Sequence, residues 1–475
     1  MGADMLLVNM RTPRLRSLSD GIIENGLSIL KESLDAKGYT IEIEDMPGLS
    51  HYESLVDSHL ANRIYAHYSG EADSGATKGM EEDDPITLQK ALDAKLGRNM
   101  EAYLCTIADR VAEEGIPVVG KKVWYGQSFD WSRRFDEILR ERAPGTITID
   151  GGPHPSVYRE HYIANASSDL VVFSEGEVCL GRVLSIIDEM GRTDKYETLE
   201  AIQDLSIPNL GHAGLTEKVP RHIEAVPIDE KPVQRHSRDV IESSLKVAVL
   251  NDALGCPYNG CNFCDYSHIY PIYQAKSQEL VMKEIEYFIC EGVGLFRNSS
   301  GSNSLEDSVR LARCISDRGF DIRYSTFARC EHNAASRMGE IKEGYKRLLE
   351  AGLRSVFMGV ESGNDEVLQR VMNKGITRSD VLYTVECMRE ASYQVGVSLD
   401  IAMSFIYPHP VMGGASLEAG FRDTLSLVRQ VAPESVLPNP PAPFPGSKWF
   451  ADSRFGYDHP LVAHDSWNEK QHHIA

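Results

Sequence analysis

Three cysteines packed into nine residues, Cys256, Cys261 and Cys264, are the side chains whose type and spacing most directly imply chemistry. They lie in Gly255-Cys256-Pro257-Tyr258-Asn259-Gly260-Cys261-Asn262-Phe263-Cys264. Three thiolates this close on one loop can hold three corners of a cubane iron–sulfur cluster. No fourth cysteine lies nearby, so one iron would stay open to a substrate or cofactor. Zinc is the first rival, because His268 could complete a four-ligand site; buried inert thiols are the second. The other six of the nine cysteines are scattered singly, and an odd, scattered set does not read as a disulfide framework.

The elements that must position this loop are legible on both sides of it. The first half opens with an apolar strand at Met5-Leu6-Leu7-Val8-Asn9. A helix carrying Ile23, Leu27, Leu30 and Leu34 follows, then an alternating strand from Tyr39 to Glu44. From about 49 to 114 the pattern loosens into polar helical stretches around a Gly- and acid-rich loop, Ser69 to Asp84, which reads as an insertion. Alternation resumes with strands at Ile116–Val119, Thr146–Ile149 and Leu170–Phe173, separated by a helix over Trp131–Arg142. Five strands alternating with helices predict a doubly wound sheet, which binds ligands beyond the carboxyl ends of its strands.

Residues 193–245 are charged and weakly periodic and read as a connecting region. A second alternation then predicts strands at 246–250, 293–297, 321–327, 354–360, 395–404 and 434–438, with helices near 277–290, 304–318, 341–351, 377–391 and 417–431. Ser304 with Asp307 resembles a capping box, and Gly292, Gly319 and Gly352 stand where helices end. Six βα repeats wound to one hand make an incomplete barrel. The cysteine loop follows its first strand directly. The organisation expected is a doubly wound domain over 1–192, a connector over 193–245, a partial (β/α)6 barrel over 246–445 and a C-terminal extension over 446–475.

Composition bounds the partners. A chain of 475 residues with 42% hydrophobic and 25% charged residues is not broadly disordered and is long enough for two to four domains. A net charge of −21 repels phosphate backbones and argues against a nucleic-acid substrate. No apolar run approaches the roughly 18 residues of a membrane-spanning helix. Met1-Gly2-Ala3-Asp4 lacks the basic and apolar regions of a signal peptide, so a soluble, cytoplasmic protein without a membrane partner is expected.

On these residues the chain resembles the radical S-adenosylmethionine (SAM) superfamily. That family pairs a partial βα barrel with a [4Fe–4S] cluster whose open iron is chelated by SAM. The usual spacing is Cys-x3-Cys-x2-Cys, whereas this sequence reads Cys-x4-Cys-x2-Cys; Gly260 is expected to absorb the extra residue through a left-handed conformation. The resemblance places Phe263 near the adenine. It continues in Met358-Gly359-Val360-Glu361-Ser362-Gly363 and Asn373-Lys374-Gly375, similar to the branch holding cobalamin-dependent and methylthiolating members. It implies that Glu361 and Ser362 lie beside SAM and that Arg329, ending the third barrel strand, pairs with its carboxylate. A helix-capping acid at Glu361 and a solvated strand end at Arg329 are the competing readings. Arg297-Asn298-Ser299-Ser300-Gly301-Ser302-Asn303 has the polar character to bind SAM's amino group without the usual acidic motif, and Tyr407-Pro408-His409-Pro410-Val411-Met412-Gly413-Gly414 stands where relatives carry a Gly-x-Pro-Gly-Glu-Thr turn.

The first half resembles the cobalamin-binding (B12) domain that precedes many such barrels, through Asp150-Gly151-Gly152 and Glu175-Gly176-Glu177. The Asp-x-His-x-x-Gly motif that supplies a cobalt-ligating histidine is absent. The resemblance assigns Gly151, Gly152 and Glu175 to cobalamin, with Trp124 and Tyr125 covering the lower cobalt face or else serving as core aromatics, and His154 read as a turn residue. Together these imply a cobalamin-dependent radical SAM enzyme that C-methylates a small molecule or natural-product intermediate and takes electrons from a donor such as flavodoxin or ferredoxin. Radical dehydration, rearrangement, decarboxylation or ring formation over a scaffold domain is the alternative, and a cobalamin or redox sensor is the alternative of another class. Methylthiolation of tRNA is disfavoured by the charge.

Overall fold

A computed structural model describes residues 2–14, 21–45, 48–69, 85–191, 194–215, 219–220, 223–410, 416–442 and 444–451 of the chain. The first half runs β1 (Met5–Met10), α1 (Gly26–Asp35), β2 (Ile41–Glu44), α2 (Gly48–Leu55), α3 (Ser58–Ser69), α4 (Pro85–Glu114), β3 (Val118–Val123), α5 (Gln127–Arg142), β4 (Ile147–Gly151), α6 (Pro153–Ile163), β5 (Leu170–Val172), α7 (Glu177–Glu189), α8 (Lys195–Asp204) and β6 (Leu210–His212). The sheet order is β2-β1-β3-β4-β5-β6. Its first five strands are parallel, and β6 is antiparallel to β5. Alternation along β1 explains why helices cover both faces. Met5 and Leu7 pack with Leu27, Leu34, Val183 and Leu184 of α1 and α7, while Leu6, Val8 and Met10 pack with Leu96, Leu104, Phe135 and Ile138 of α4 and α5.

Three expectations change here. The stretch 49–114 is not only an insertion: α4 is itself the crossover helix from β2 to β3, its Leu92, Leu96, Met100, Leu104, Ile107 and Val111 buried on the sheet. Residues 70–84 of the Gly- and acid-rich loop lie outside the described residues. The connector is not featureless, since it supplies α8 and the edge strand β6. The third strand runs past Val119 through Lys121 and Lys122. Lys121, 2% exposed, can sit there because the carboxylates of Asp136 and Asp150 (2.9 Å) neutralise it inside the fold.

The second half continues with α9 (Arg238–Ser243), β7 (Val247–Leu250), β8 (Ala253–Leu254), α10 (Tyr266–Ile269), β9 (Gln274–Ala275), α11 (Gln278–Cys290), β10 (Leu295–Asn303), α12 (Leu305–Arg318), β11 (Arg323–Ala328), α13 (Ala334–Glu350), β12 (Leu353–Glu361), α14 (Arg378–Val395), β13 (Asp400–Ile406), α15 (Leu417–Val431), β14 (Ser435–Asn439) and α16 (Lys448–Ala451). The six strands β14-β13-β12-β11-β10-β7 pair in parallel in that order, the sequential winding of a partial βα barrel. Ser304 caps α12 by accepting from the Asp307 amide, and Gly319 closes the helix at φ 65°.

The two halves are joined by backbone. Ile23, read from its spacing as part of the first helix, instead precedes it and bridges to Ala248, its amide donating to the Val247 carbonyl (2.9 Å). Its side chain is fully buried in the barrel core. The connector is tied to both halves as well. Gln234 donates to the Val249 carbonyl (2.8 Å), and Lys231 pairs with Glu175 (2.9 Å) and Glu177 (2.7 Å).

Candidate active site

The cysteine loop leaves β7 and is pinned on both sides. Its left-handed residues are Gly255 (φ 81°) and Asn259 (φ 51°), so the extra residue of the Cys-x4-Cys spacing is absorbed at Asn259 and not, as expected, at Gly260. Asparagine tolerates that conformation better than other non-glycine residues. The missing side chain at Gly260 has another use: a Cβ there would lie 2.9 Å from the Tyr258 ring. At the opposite edge of that ring Gly375 (φ 67°) is tighter still, a Cβ falling 2.5 Å from the Tyr258 hydroxyl. That hydroxyl donates to the Asn373 carbonyl (2.8 Å), Asn373 Nδ2 donates to the Gly260 carbonyl (2.6 Å), and Asn262 donates through its amide to Met372 (2.9 Å) and through Nδ2 to Val371 (3.1 Å). Trp449 of α16 completes the clamp. Its amide donates to the Asn262 carbonyl (3.0 Å), its Nε1 to the Val371 carbonyl (3.0 Å), and its ring lies 5.6 Å from that of Phe263.

Burial pushes the Cys264 thiol up to about 12, with Asp265 adding to the effect. Burial also raises Cys261, and the charges of Lys374 and Arg329 work against it. Thiols this hard to ionise lose their protons to a metal rather than to water. Among the described residues no three His, Cys, Asp or Glu side chains converge as ligands of one metal ion, and the side chain of His268 lies outside them. The thiolates of a cubane bind separate irons, so a cluster needs no such convergence.

The residues that the resemblance assigns to SAM gather around Lys374. Its Nζ lies 3.3 Å from Glu361 Oε1 and 5.4 Å from the centroid of Phe263, and its carbonyl accepts from Arg329. The Arg329 guanidinium stacks 3.7 Å over the Tyr258 ring. Burial lowers Lys374 most strongly, but Glu361 and the Cys261 and Cys330 thiols outweigh it and the net shift is upward. Glu361, at the end of β12, is held at φ 72°, a conformation that costs a non-glycine residue about 1–3 kcal/mol and persists where surrounding contacts impose it. Those contacts are Lys374 and the Ser404 hydroxyl (3.4 Å). Gly359 makes room for them, since a Cβ there would meet Glu361 Oε1 at 2.5 Å. Ser362 is buried beside this group and accepts from the Asn364 amide (3.2 Å).

The residues assigned to cobalamin line a cavity of about 1680 Å³ between the carboxyl ends of the two sheets. Trp124, Tyr125, Gly151, Gly152 and Glu175 face it from the first half, and Asn251, Arg297, Tyr407 and Leu437 from the barrel. The volume exceeds the roughly 300–1,000 Å³ of drug-sized pockets and suits a large cofactor, or a cofactor with a substrate. Gly152 sits at φ 100°, where a Cβ would lie 3.2 Å from the Val123 backbone, so glycine is what lets the α6 entrance pack against β3 at this edge of the cavity. Trp124 Nε1 donates to Asn9 Oδ1 (3.2 Å). Glu175 is engaged by Lys231 and by the Val226 amide (2.9 Å), so its side chain ties the connector down at the cavity edge. His154 is in the first turn of α6 rather than in a turn, buried among Tyr125, Phe129, Tyr158 and Tyr162 and absent from the cavity lining.

Neither the cysteines nor the SAM-assigned residues line this cavity; Asp265 and Tyr266, immediately after Cys264, connect the two regions. Burial raises Asp265 to about 6, and Tyr266 packs on Gly301 of β10, where a Cβ would meet its ring at 2.1 Å. The polar run 297–303 is partly committed: Ser300 and Asn303 donate to the buried carboxylate of Asp252. Residues 411–414 of the Tyr407–Gly414 segment lie outside the described residues. Lys374 stood in the Asn373-Lys374-Gly375 block without an assigned role, and Trp449 and Asp252 escape a reading by sequence because a C-terminal tryptophan and a lone aspartate carry no spacing signal. Only burial distinguishes them.

Residues 250–407 match the family described as the Radical SAM superfamily. A tRNA-2-methylthio-N(6)-dimethylallyladenosine synthase of Clostridium novyi is 24% identical over 257 residues, covering 52% of this chain and 50% of the relative. A 2-(S-pantetheinyl)-carbapenam-3-carboxylate methyltransferase of Streptantibioticus cattleyicolor is 24% identical over 202 residues, 41% of this chain and 29% of the relative. This chain thus spans half or less of the length of these two relatives. Among solved structures, the cobalamin-dependent SAM radical enzyme OxsB with aqua-cobalamin and SAM bound aligns with a TM-score of 0.61 at 15% identity, covering 90% of this chain and 52% of that one. The radical SAM methyltransferase TsrM of Kitasatospora setae, with cobalamin and a [4Fe–4S] cluster bound, aligns with a TM-score of 0.63 at 16% identity, covering 94% and 74%. These two likenesses establish the architecture of a doubly wound domain followed by a partial βα barrel.

Proposed function

We propose that this chain, whose residues 250–407 are a radical SAM domain, is an enzyme that cleaves SAM reductively at a [4Fe–4S] cluster and, with cobalamin, methylates an unactivated carbon of a small molecule. The observation that carries this reading is one large cavity onto which the carboxyl ends of both sheets open, with the cysteine loop at its edge. The fold shared with OxsB and TsrM and the similarity to a methyltransferase support it.

The residues present fit the three groups. The thiolates of Cys256, Cys261 and Cys264 would hold the cluster, their loop held rigid by the contacts to 371–375 and Trp449. Phe263, Arg329, Glu361 and Ser362 would hold SAM, with Lys374 fixing the carboxylate of Glu361. Gly151, Gly152 and the rings of Trp124 and Tyr125 would bound the cobalamin. When bound, the reduced cluster with SAM supplies a 5′-deoxyadenosyl radical able to take hydrogen from carbon, and cobalamin supplies a transferable methyl group. The chain's task is to orient these groups around one substrate and keep out water. Tyr125, Tyr266 and Tyr270 line the cavity and serve that exclusion. A one-electron donor such as a flavodoxin or ferredoxin is the partner this chemistry requires. The charge of −21 favours a small-molecule substrate over a tRNA.

The test is anaerobic reconstitution with separate assays for bound cobalamin, 5′-deoxyadenosine and S-adenosylhomocysteine. Methyl transfer releases S-adenosylhomocysteine; 5′-deoxyadenosine without it, in cobalamin-free protein, moves the assignment to radical chemistry without methylation. Cys256→Ala, Cys261→Ala and Cys264→Ala each lose the brown chromophore. Full iron content in all three would sink the cluster assignment.

A further inference from the structure

Six basic side chains line the cavity, and five are neutralised by the protein itself. Arg11 pairs with Asp45 (2.8 Å), Lys121 with Asp136 and Asp150, Lys122 with Glu24, Lys231 with Glu175 and Glu177, and Lys276 with Glu284 (3.0 Å). Arg297 is the exception. Among the described residues its guanidinium meets no carboxylate and no hydrogen-bond acceptor; it lies 5.4 Å over the ring of Phe327. Burial alone acts on it, disfavouring its charge. In a chain with 70 acidic residues against 49 basic ones, a half-buried guanidinium left without a counter-ion is costly to keep.

The surroundings say what the charge is for. Arg297 registers with Val249 across β10 and β7, so Val249, Asn251, Arg297 and Ser299 share one wall of the cavity. Asn251 Oδ1 on that wall is buried and, among the described residues, has no hydrogen-bond partner; as an acceptor it suits an N–H or O–H of the ligand rather than the anion itself. A guanidinium repels SAM's ammonium group, so this position does not serve the role expected of 297–303. It suits a planar oxyanion, which arginine can take with two parallel hydrogen bonds. The SAM-assigned residues lie off the cavity lining, whereas Arg297 faces the open space. We propose that Arg297 anchors a carboxylate or phosphate group of the substrate, an inference that rests on the cavity being the reaction chamber.

The test uses the anaerobically reconstituted chain, bare and loaded with SAM and hydroxocobalamin. It reads the rate at which phenylglyoxal labels Arg297, by peptide mass spectrometry. In the fully loaded protein, inorganic phosphate and glutarate each slow labelling about tenfold, the effect expected of charge-assisted hydrogen bonds, while neutral glutaramide does not. Full protection by SAM alone, or by hydroxocobalamin alone, would assign the anion to that cofactor and overturn the proposal. Labelling that neither anion slows overturns it too. In a second arm, Arg297→Gln binds SAM and hydroxocobalamin as the parent does but binds phosphate about tenfold more weakly by calorimetry; unchanged phosphate affinity refutes the assignment. Because neither arm needs turnover, anion binding without any SAM-derived product would remove the proposed function and leave this site standing.

Discussion

Trp449 gives the sharpest test of how the cysteine loop is held, because it lies outside the 250–407 segment that matches the family. Its side chain is fully buried in the barrel core. Trp449→Ala removes that volume, and large-to-small changes of this kind cost about 3–5 kcal/mol. The hydrogen-bond share is small, because the Val371 carbonyl that accepts from the indole (3.0 Å) also accepts from Asn262 Nδ2 (3.1 Å) and is not orphaned. Trp449→Phe keeps most of the ring and loses about 1 kcal/mol with the N–H. At about 2–4 °C per kcal/mol for a domain of this size, the alanine variant melts roughly 6–20 °C lower. Because Trp449 also touches Asn262 and Phe263, within the cysteine loop, iron retained after gel filtration falls in the order parent, Phe, Ala. Unfolding by urea, followed by fluorescence on reconstituted protein, gives the stabilities, and a colorimetric iron assay gives the occupancy. An alanine variant within about 1 kcal/mol of the parent and with full iron would refute the clamp.

Two further outcomes follow from single contacts. Gly375→Ala (φ 67°, Cβ 2.5 Å from the Tyr258 hydroxyl) and Gly396→Ala (φ 72°, nothing within 4 Å) share a backbone penalty of about 1–2 kcal/mol, so only the first should also displace Tyr258 and lower iron occupancy; equal iron loss in both would deny the ring its role. Lys231→Met leaves Glu175 and Glu177 buried without their cation and costs about 3–5 kcal/mol at neutral pH. Burial already raises Glu175 above its ordinary value and Lys231 opposes it, so removing the lysine raises it further. A carboxyl raised in the folded state costs stability as pH climbs through the raised value. The deficit of the variant should therefore shrink as pH is lowered from neutral, measured as urea midpoints; a deficit independent of pH would contradict the pairing.

How far the fold could be read without coordinates depended on the kind of signal. The barrel strands and helices were legible because apolar periodicity and capping residues such as Ser304 and Gly319 act locally. The third strand of the first sheet was cut short at Val119 because Lys121-Lys122 looks like a solvated turn. Its continuation depends on Asp136 and Asp150, 15 and 29 positions further along. Ile23 misled in the opposite way, since helical spacing to Leu27 is satisfied by a residue whose backbone belongs to the barrel edge. Gly151, Gly152 and Glu175 were found from short glycine and glutamate blocks and Trp124 and Tyr125 from their place after a strand, and all five line one large cavity. Arg297 stood in a run noted for polarity, yet its missing counter-ion is a property of its neighbours in space.

The sequence by itself determined the chemistry on offer: a trio of thiols on the loop after a barrel strand, the Glu361-Ser362 and Lys374 blocks, and two parallel α/β halves. These follow from side-chain type and local spacing, which are fixed before the chain folds. Tertiary structure decided how that chemistry is held. It settled that Asn259 rather than Gly260 takes the left-handed turn, that Tyr258 fits between two glycines, that Trp449 closes the loop, and that among the described residues Arg297 is the cavity base without an acid. Each depends on distances between residues far apart in sequence, and burial and charge pairing are set by those distances.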